Sequence, residues 1–219
     1  MPKLKVGVVM DPIEKINVAA DTTFVIMLEA EARGHALYYM EQEDLSIRGG
    51  APEGRFRSVS VARAKPHYRF GAEGYGPLAD FDVILMRKDP PFDMKYFYTT
   101  HLLSLVDPGR CVVINDPRGL REATEKLYAL NFPGVIPPSI VTCDMGRLKQ
   151  FMDEQGGEMI VKPLEGAGGR GVLYLNRKDR NLGAILEMVT VEGRVPVMAQ
   201  RYLPEIRQGD KRELVLDGE

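Results

Sequence analysis

The chain has 219 residues, 44% hydrophobic and 27% charged, and its 29 Lys plus Arg against 31 Asp plus Glu leave a formal net charge of −2. That is enough apolar material for one large domain or two modest ones, and it excludes a disordered, collagenous or coiled-coil protein. A charge so near zero offers no surface-wide attraction to a polyanion, so no nucleic-acid partner is expected.

Residues 6–10 (VGVVM) are a short β-branched apolar run, the mark of a buried strand. Asp21-Thr22-Thr23 is a helix-start signal, with Phe24, Met27 and Leu28 following at helical spacing and Gly34 as the stop. Residues 36–40 read as a second strand, which makes the opening a β-α-β unit with parallel strands and a right-handed crossover. Residues 47–76 have a less ordered pattern, read as an excursion with a small hairpin around 56–62. A third buried strand at 82–86 (DVILM), a helix over 94–106, a fourth strand at 111–115 (CVVIN) and a short helix from Asp116-Pro117 to about 123 complete an α/β lobe.

After Thr124 the texture changes to an α+β lobe that runs to about Pro204. A helical stretch over 125–130 meets Phe132-Pro133-Gly134, and 135–138 reads as a linker. Strands follow at 140–142, 159–162, 172–175 and 197–200, with helices over 144–155 and 182–191. A last strand is expected at 213–217 (ELVLD). There are no internal repeats.

Residues 166–171 (GAGGRG) fit G-x-G-x-x-G, but a strand rather than a helix follows, which argues against a dinucleotide fingerprint. No Gly-Lys-Ser/Thr follows either, so it is not a Walker A loop. Strand, glycine loop, strand describes a flap whose bare backbone can close over phosphates. Four glycines in six residues cost up to ~1 kcal/mol each in backbone entropy, more than a plain hairpin requires. Lys162 stands on the strand before the loop, the reverse of the kinase order, and strand-Lys-then-flap is the arrangement of an ATP-grasp lid. Lys126, in the helix expected after the first lobe, reads alone as a solvated lysine. With Lys162 it would give two charge contacts to one triphosphate, each worth about 1.5–3 kcal/mol.

Residues 195–204 (VPVMAQRYLP) pass from apolar strand to extended connector, equally an adenine-holding hinge and a plain link between lobes. Asp210-Lys211-Arg212 reads as a surface charge run or as a ribose and phosphate contact. Arg87-Lys88-Asp89-Pro90-Pro91-Phe92-Asp93 follows the C-terminal end of a buried strand, where ligands of open α/β sheets bind. Arg87 offers a fork suited to a carboxylate, although a stiff turn with its charges in water accounts for the pattern as well. The three histidines lie in unrelated contexts. The two cysteines, Cys111 and Cys143, make no disulfide framework, point to a reducing compartment, and stand neither at a helix start nor beside a basic cluster. No nucleophile–base pair or metal-ligand spacing stands out. The N-terminus lacks the apolar stretch of a secretory leader, and no segment approaches the ~18 apolar residues of a membrane span. A cytoplasmic protein without a membrane partner is expected.

Together these blocks resemble the bacterial glutathione synthetase family. The likeness runs through Gly7-Val8-Val9-Met10-Asp11-Pro12-Ile13 and Val83-Ile84-Leu85-Met86-Arg87-Lys88-Asp89-Pro90-Pro91-Phe92-Asp93 to Ile114-Asn115-Asp116-Pro117 and Glu125-Lys126-Leu127. It continues in order through Val161-Lys162-Pro163-Leu164, the glycine loop, Met198-Ala199-Gln200-Arg201-Tyr202-Leu203-Pro204 and Gly209-Asp210-Lys211-Arg212. The resemblance implies a Rossmann-like, parallel-sheet pre-ATP-grasp substrate domain at 1–123, an ATP-grasp lid subdomain at 124–204 that binds ATP, and the opening of a C-terminal ATP-grasp lobe at 205–219.

It further implies an ATP-dependent ligase that joins γ-glutamylcysteine to glycine through an acyl phosphate, with ATP as a substrate, Mg²⁺, and a homo-oligomeric assembly. By motif, Lys126 and Lys162 would hold ATP phosphates, and Gly166, Gly168 and Gly169 would form the flap. Gln200, Tyr202 and Leu203 would line the adenine pocket, Asp210 would meet the ribose, and Arg87 would lie on the dipeptide side. No residue is assigned as nucleophile, general base or metal ligand, the metal ligands being expected beyond Glu219. Arg170-Gly171 depart from the small residues usual after the paired glycines. The alternatives are another ATP-grasp carboxylate–amine ligase, or a non-catalytic fragment without the Mg²⁺-binding lobe.

Overall fold

In the computed structural model all residues are described except Met1, Gly166, Ala167, Asp210, Arg212, Leu214, Leu216, Asp217 and Glu219. The chain divides into two compact units, residues 1–124 and 125–219.

The first unit is built on a sheet of seven strands. Its centre is parallel: β2 (Ala36–Met40), β1 (Lys5–Val9), β6 (Val83–Met86) and β7 (Val112–Ile114) lie side by side in that order. Both faces of the centre are covered, which is why β1 after its first residue, Lys5, is apolar without alternation. Val6 and Val8 pack with Phe24 and Met27 of α1 (Thr22–Ala32) on one side. Val9 packs with Ile84, Tyr96 and Leu103 on the other, where α2 (Met94–Leu103) lies. Each such side chain taken fully out of water contributes about 1.5–3 kcal/mol. Gly7 lies between these layers because a Cβ there would stand 2.6 Å from Met40 Cε.

The segment 47–76 is far more regular than its sequence suggests. An antiparallel extension replaces the expected small hairpin: β3 (Leu45–Arg48), β4 (Ala51–Val61) and β5 (Tyr68–Pro77), with β4 paired to β2, β3 and β5. Gly49 and Gly50 do mark a turn, with positive φ, but two glycines further on are cross-strand fittings. Gly74 stands opposite Phe56, whose ring fills the space a Cβ would need, and Gly71 does the same for Ser58. The second expected helix departure is at 125–130. The described structure there is a turn followed by a short 3₁₀ segment, Tyr128–Asn131, with no α-helix. Pro133 restricts the residue before it and has no N–H to give, so a helix cannot run on through Phe132-Pro133.

The second unit is a four-stranded antiparallel sheet in the order β10 (Leu173–Asn176), β9 (Glu158–Pro163), β11 (Val197–Arg201), β8 (Ser139–Thr142). One face packs on α4 (Met145–Glu154) and α5 (Leu182–Val189), where Leu148, Met152, Met159, Val161, Leu186 and Ala199 form the core. Four helices start on an aspartate that accepts backbone N–H bonds, a cap worth about 0.5–2 kcal/mol: Asp21, Asp93, Asp144, and Asp116 at α3 (Pro117–Glu122). The Arg118 and Gly119 N–H groups hold the Asp116 carboxyl below the usual carboxylate range. The strand expected at 213–217 falls largely outside the described residues.

Candidate functional site

The period of two along the strands of the second unit places its chemistry. Met159 and Val161 of β9 enter the core, so Ile160 and Lys162 face the other way. Val197 and Ala199 of β11 likewise leave Gln200 on the open face. The pairing registers then set Tyr174, Ile160, Gln200 and Ser139 in one row across four strands. Above this row lies a cavity of about 500 Å³ with strongly apolar walls, to which Val172, Tyr202, Leu203 and Ile206 contribute.

Lys162 brings a cation to that cavity, which Arg201 also borders. The Lys162 Nζ donates to Gln200 Oε1 at 2.5 Å, and Gln200 Nε2 donates to Ser139 Oγ at 2.8 Å. Burial, and after it the positive charge of Lys126, hold the Lys162 ammonium below its ordinary pKa, with Glu125 opposing them. Lys126 lies in the turn before the 3₁₀ segment, its side chain only 10% exposed and its Nζ 3.7 Å from a Glu125 carboxylate oxygen. The positive charge of Lys126 is thus felt at Lys162, which lines the cavity.

The described part of the loop from β9 to β10 ends in a turn. Gly168, Gly169 and Gly171 all have positive φ (64°, 76° and 72°), backbone that side-chain-bearing residues rarely adopt. The Val172 N–H returns to the Gly169 carbonyl at 3.3 Å, so Arg170 and Gly171 form the corner of a turn. Gly166 and Asp210 lie outside the described residues. The other expected adenine-side residues, Gln200, Tyr202 and Leu203, all line the cavity. The Gln200 side chain is committed to Lys162 and Ser139. Tyr174, Ile160, Val172 and Ile206 had not been singled out. A period-two reading onward from the glycine loop marks Val172 and Tyr174 as one face.

In the first unit, Arg87 follows β6 and its backbone N–H reaches the Val9 carbonyl at 2.7 Å. Its guanidinium donates to Thr23 Oγ1 at 3.0 Å and Thr22 Oγ1 at 2.8 Å, at the start of α1. Lys88 Nζ pairs with Asp11 at 2.9 Å, and the Asp89 N–H donates to the same carboxylate at 2.8 Å, tying the loops after β6 and β1 together. Asp11, Thr23, Arg87 and Asp89, with Lys15, Asn17 and Asp21, border a cavity of about 400 Å³ and mixed polarity at the C-terminal edge of the parallel strands, where such sheets bind ligands.

The remaining reactive side chains are placed elsewhere. His35 accepts from the Leu4 N–H, His67 bonds with the Ile13 carbonyl and His101 packs on Phe97. Burial pushes the Cys111 thiol up to about 11. Cys143 does stand at a helix start, contrary to expectation, as the residue before the Asp144 cap. Among the described residues no group of three or more His, Cys, Asp or Glu could hold a metal ion, and no helix is long and apolar enough to cross a membrane.

Comparison with known proteins matches residues 4–121 to the family model for the N-terminal domain of prokaryotic glutathione synthetase and residues 125–219 to that for its ATP-grasp domain. Over 217 residues the chain is 45% identical to glutathione synthetase of Salmonella typhimurium, covering 99% of this chain and 69% of that protein. It is 44% identical to glutathione synthetase of Yersinia pestis, covering 99% and 68%. Among solved structures, D-cycloserine synthetase DcsG superposes with a TM-score of 0.61 at 15% identity, over 92% of this chain and 60% of that one. A RimK domain ATP-grasp protein from Sphaerobacter thermophilus gives 0.58 at 18%, over 91% and 64%. At those identities the structural likeness speaks for the fold alone.

Proposed function

The chain belongs to the prokaryotic glutathione synthetase family, an ATP-grasp ligase family, and its function is that of a glutathione synthetase; we propose how its two units divide that work. The observation that carries the proposal is Lys162, a partly buried cation lining an apolar cavity, whose ammonium is further disfavoured by the positive charge of Lys126. A cation taken out of water and exposed to a like charge costs free energy, and a polyphosphate beside it offsets that cost. In this reading the apolar part of the cavity takes the adenine of ATP beside Tyr202 and Leu203, and the lysines take its phosphates. The flap, with Gly166, Gly168 and Gly169, closes over them, and Asp210 meets the ribose. Residues 124–204 thus act as the ATP-binding lid, and 205–219 open the next lobe.

The cavity at Arg87 takes the dipeptide γ-glutamylcysteine, whose carboxylates suit a guanidinium already oriented by two threonine hydroxyls. The terminal phosphoryl group of ATP passes to the cysteinyl carboxylate. The amine of glycine attacks the resulting acyl phosphate, a peptide bond forms, and phosphate leaves. This chemistry uses no covalent enzyme nucleophile. The chain's contribution is positioning and neutralisation of phosphate charge. The family also implies Mg²⁺, for which the described residues supply no ligand set. A cytoplasmic, homo-oligomeric enzyme is consistent with this reading.

Calorimetric titration of the chain with ATP, ADP and adenosine tests it. Lys162→Met should weaken ATP roughly 10- to 100-fold, one charge-assisted bond, and leave adenosine within about two-fold. Equal losses for all three, or no binding of ATP to the unaltered chain, would overturn it.

A further inference from the structure

At the wall of the apolar cavity the two tyrosines Tyr174 and Tyr202 meet edge to face, ring centroids 4.8 Å apart at 62°. Both are tethered from outside. The Tyr174 hydroxyl donates to the Glu158 carboxylate and receives a longer bond, 3.4 Å, from Asn176 Nδ2. The Tyr202 hydroxyl accepts from Arg207 Nε at 2.8 Å, and that guanidinium lies 5.8 Å from the ring centre. The chain Glu158–Tyr174–Tyr202–Arg207 thus begins at the first residue of β9, crosses β10 and the connector after β11, and ends in the 3₁₀ segment Pro204–Gln208. An anion fixes one hydroxyl and a cation the other, and the two rings between them form a rigid corner.

Tyr174 stands at the end of the row Tyr174–Ile160–Gln200–Ser139, on the edge strand β10, and is 42% exposed. Its hydroxyl is tied to Glu158 and Asn176 and its ring lies against Tyr202, so it adds a fixed aromatic surface to the cavity wall. Edge-to-face rings stiffened this way suit a planar heteroaromatic guest better than a flexible aliphatic one. We infer that Tyr174 is a specificity-determining residue for the nucleotide base, that it and Tyr202 form an aromatic corner against which a purine packs, and that Glu158 and Arg207 are positioning residues that hold the corner. This rests on the proposed nucleotide site and adds to it a named wall, a base preference and two residues outside the cavity that act through the tyrosines.

The test is a binding panel of ATP, ADP, adenosine and CTP on the chain and on Tyr174→Ala, Tyr174→Leu, Tyr174→Phe, Glu158→Ala and the double variant Glu158→Ala/Tyr174→Phe. Tyr174→Ala should weaken ATP, ADP and adenosine by the same factor, about ten-fold, and narrow the preference for ATP over CTP. Tyr174→Leu, which keeps apolar bulk, should narrow the same preference and guards against a folding defect in the alanine variant. Glu158→Ala and Tyr174→Phe should each cost two- to three-fold, and the double variant no more than either, because both cut one tether. Adenosine affinity and ATP/CTP preference unchanged in both Tyr174→Ala and Tyr174→Leu would overturn the aromatic wall while leaving the lysine site standing. Additive losses in the double variant would overturn the positioning role of Glu158. Absence of nucleotide binding to the unaltered chain would overturn both this inference and the function on which it rests.

Discussion

A lysine whose ammonium is held below its ordinary pKa of 10.5 by burial and by a second lysine makes anion binding sensitive to pH. Bound polyphosphate favours the charged form, so binding lifts the pKa of Lys162 back up. Above its lowered value in the free chain a proton must be taken up on binding, so affinity for ATP should fall as pH rises through that value, before 10.5. Lys162→Arg, which does not titrate there, should hold affinity level over the same range, and a set of titrations at increasing pH separates the two. Stability runs the other way. The cost of keeping Lys162 charged is fully present below its folded pKa and disappears as pH climbs from there toward the unfolded value. Lys162 and the glycine loop were legible because both break a pattern: a charge at the end of an apolar strand, and glycines in excess of any turn's need. Tyr174 was not, because a tyrosine in a strand is ordinary and its half-bare state follows from what neighbouring strands leave uncovered. Asp93 belongs to the most distinctive motif in the chain, and its carboxylate takes the Tyr96 N–H as the cap of α2.

At the scale of elements, glycines in one hairpin answer to different constraints. Gly169 has positive φ and, among the described residues, no atom within 4 Å of its missing Cβ, whereas at Gly171 a Cβ would stand 2.9 Å from Pro163 Cγ on the strand that carries Lys162. Ala at position 169 costs only the left-handed backbone, about 1–2 kcal/mol. Gly171→Ala adds a contact that neither β9 nor the turn can relieve cheaply, so its urea midpoint should fall further than that of Gly169→Ala. Equal midpoints would mean that the approach to Pro163 imposes nothing. The same attention to what a missing side chain makes room for explains why β4 and β5 escaped the sequence pattern. Glycine was read there as freedom of the backbone, and in the folded sheet it is room for the residue across the strand. The first strands, by contrast, were legible as short apolar runs, since burial on both faces writes itself directly into composition.

At the scale of the whole molecule, each candidate cavity is enclosed by one unit: Arg87 and its neighbours by the first, Lys162 and the tyrosine wall by the second. Binding defects should therefore separate. Arg87→Ala should weaken γ-glutamylcysteine about ten-fold or more, one charge-assisted bond, and leave ADP unaffected. Lys162→Met should do the reverse, with calorimetry of each ligand alone as the readout. Loss of both ligands from either variant would contradict that division.

The long hairpin of the first unit has one more consequence. β4 is held along both edges, by β3 and β2 in succession on one side and by β5 on the other. At its tip the Ala62 N–H bonds to the His67 carbonyl, and residues 62–66 between them are all exposed. A strand pinned on two sides cannot shift register to absorb extra chain, but a closed and solvent-facing tip can. Residues 62–66 are thus a natural graft point, where a label or an affinity handle joins the molecule without entering the border of either cavity.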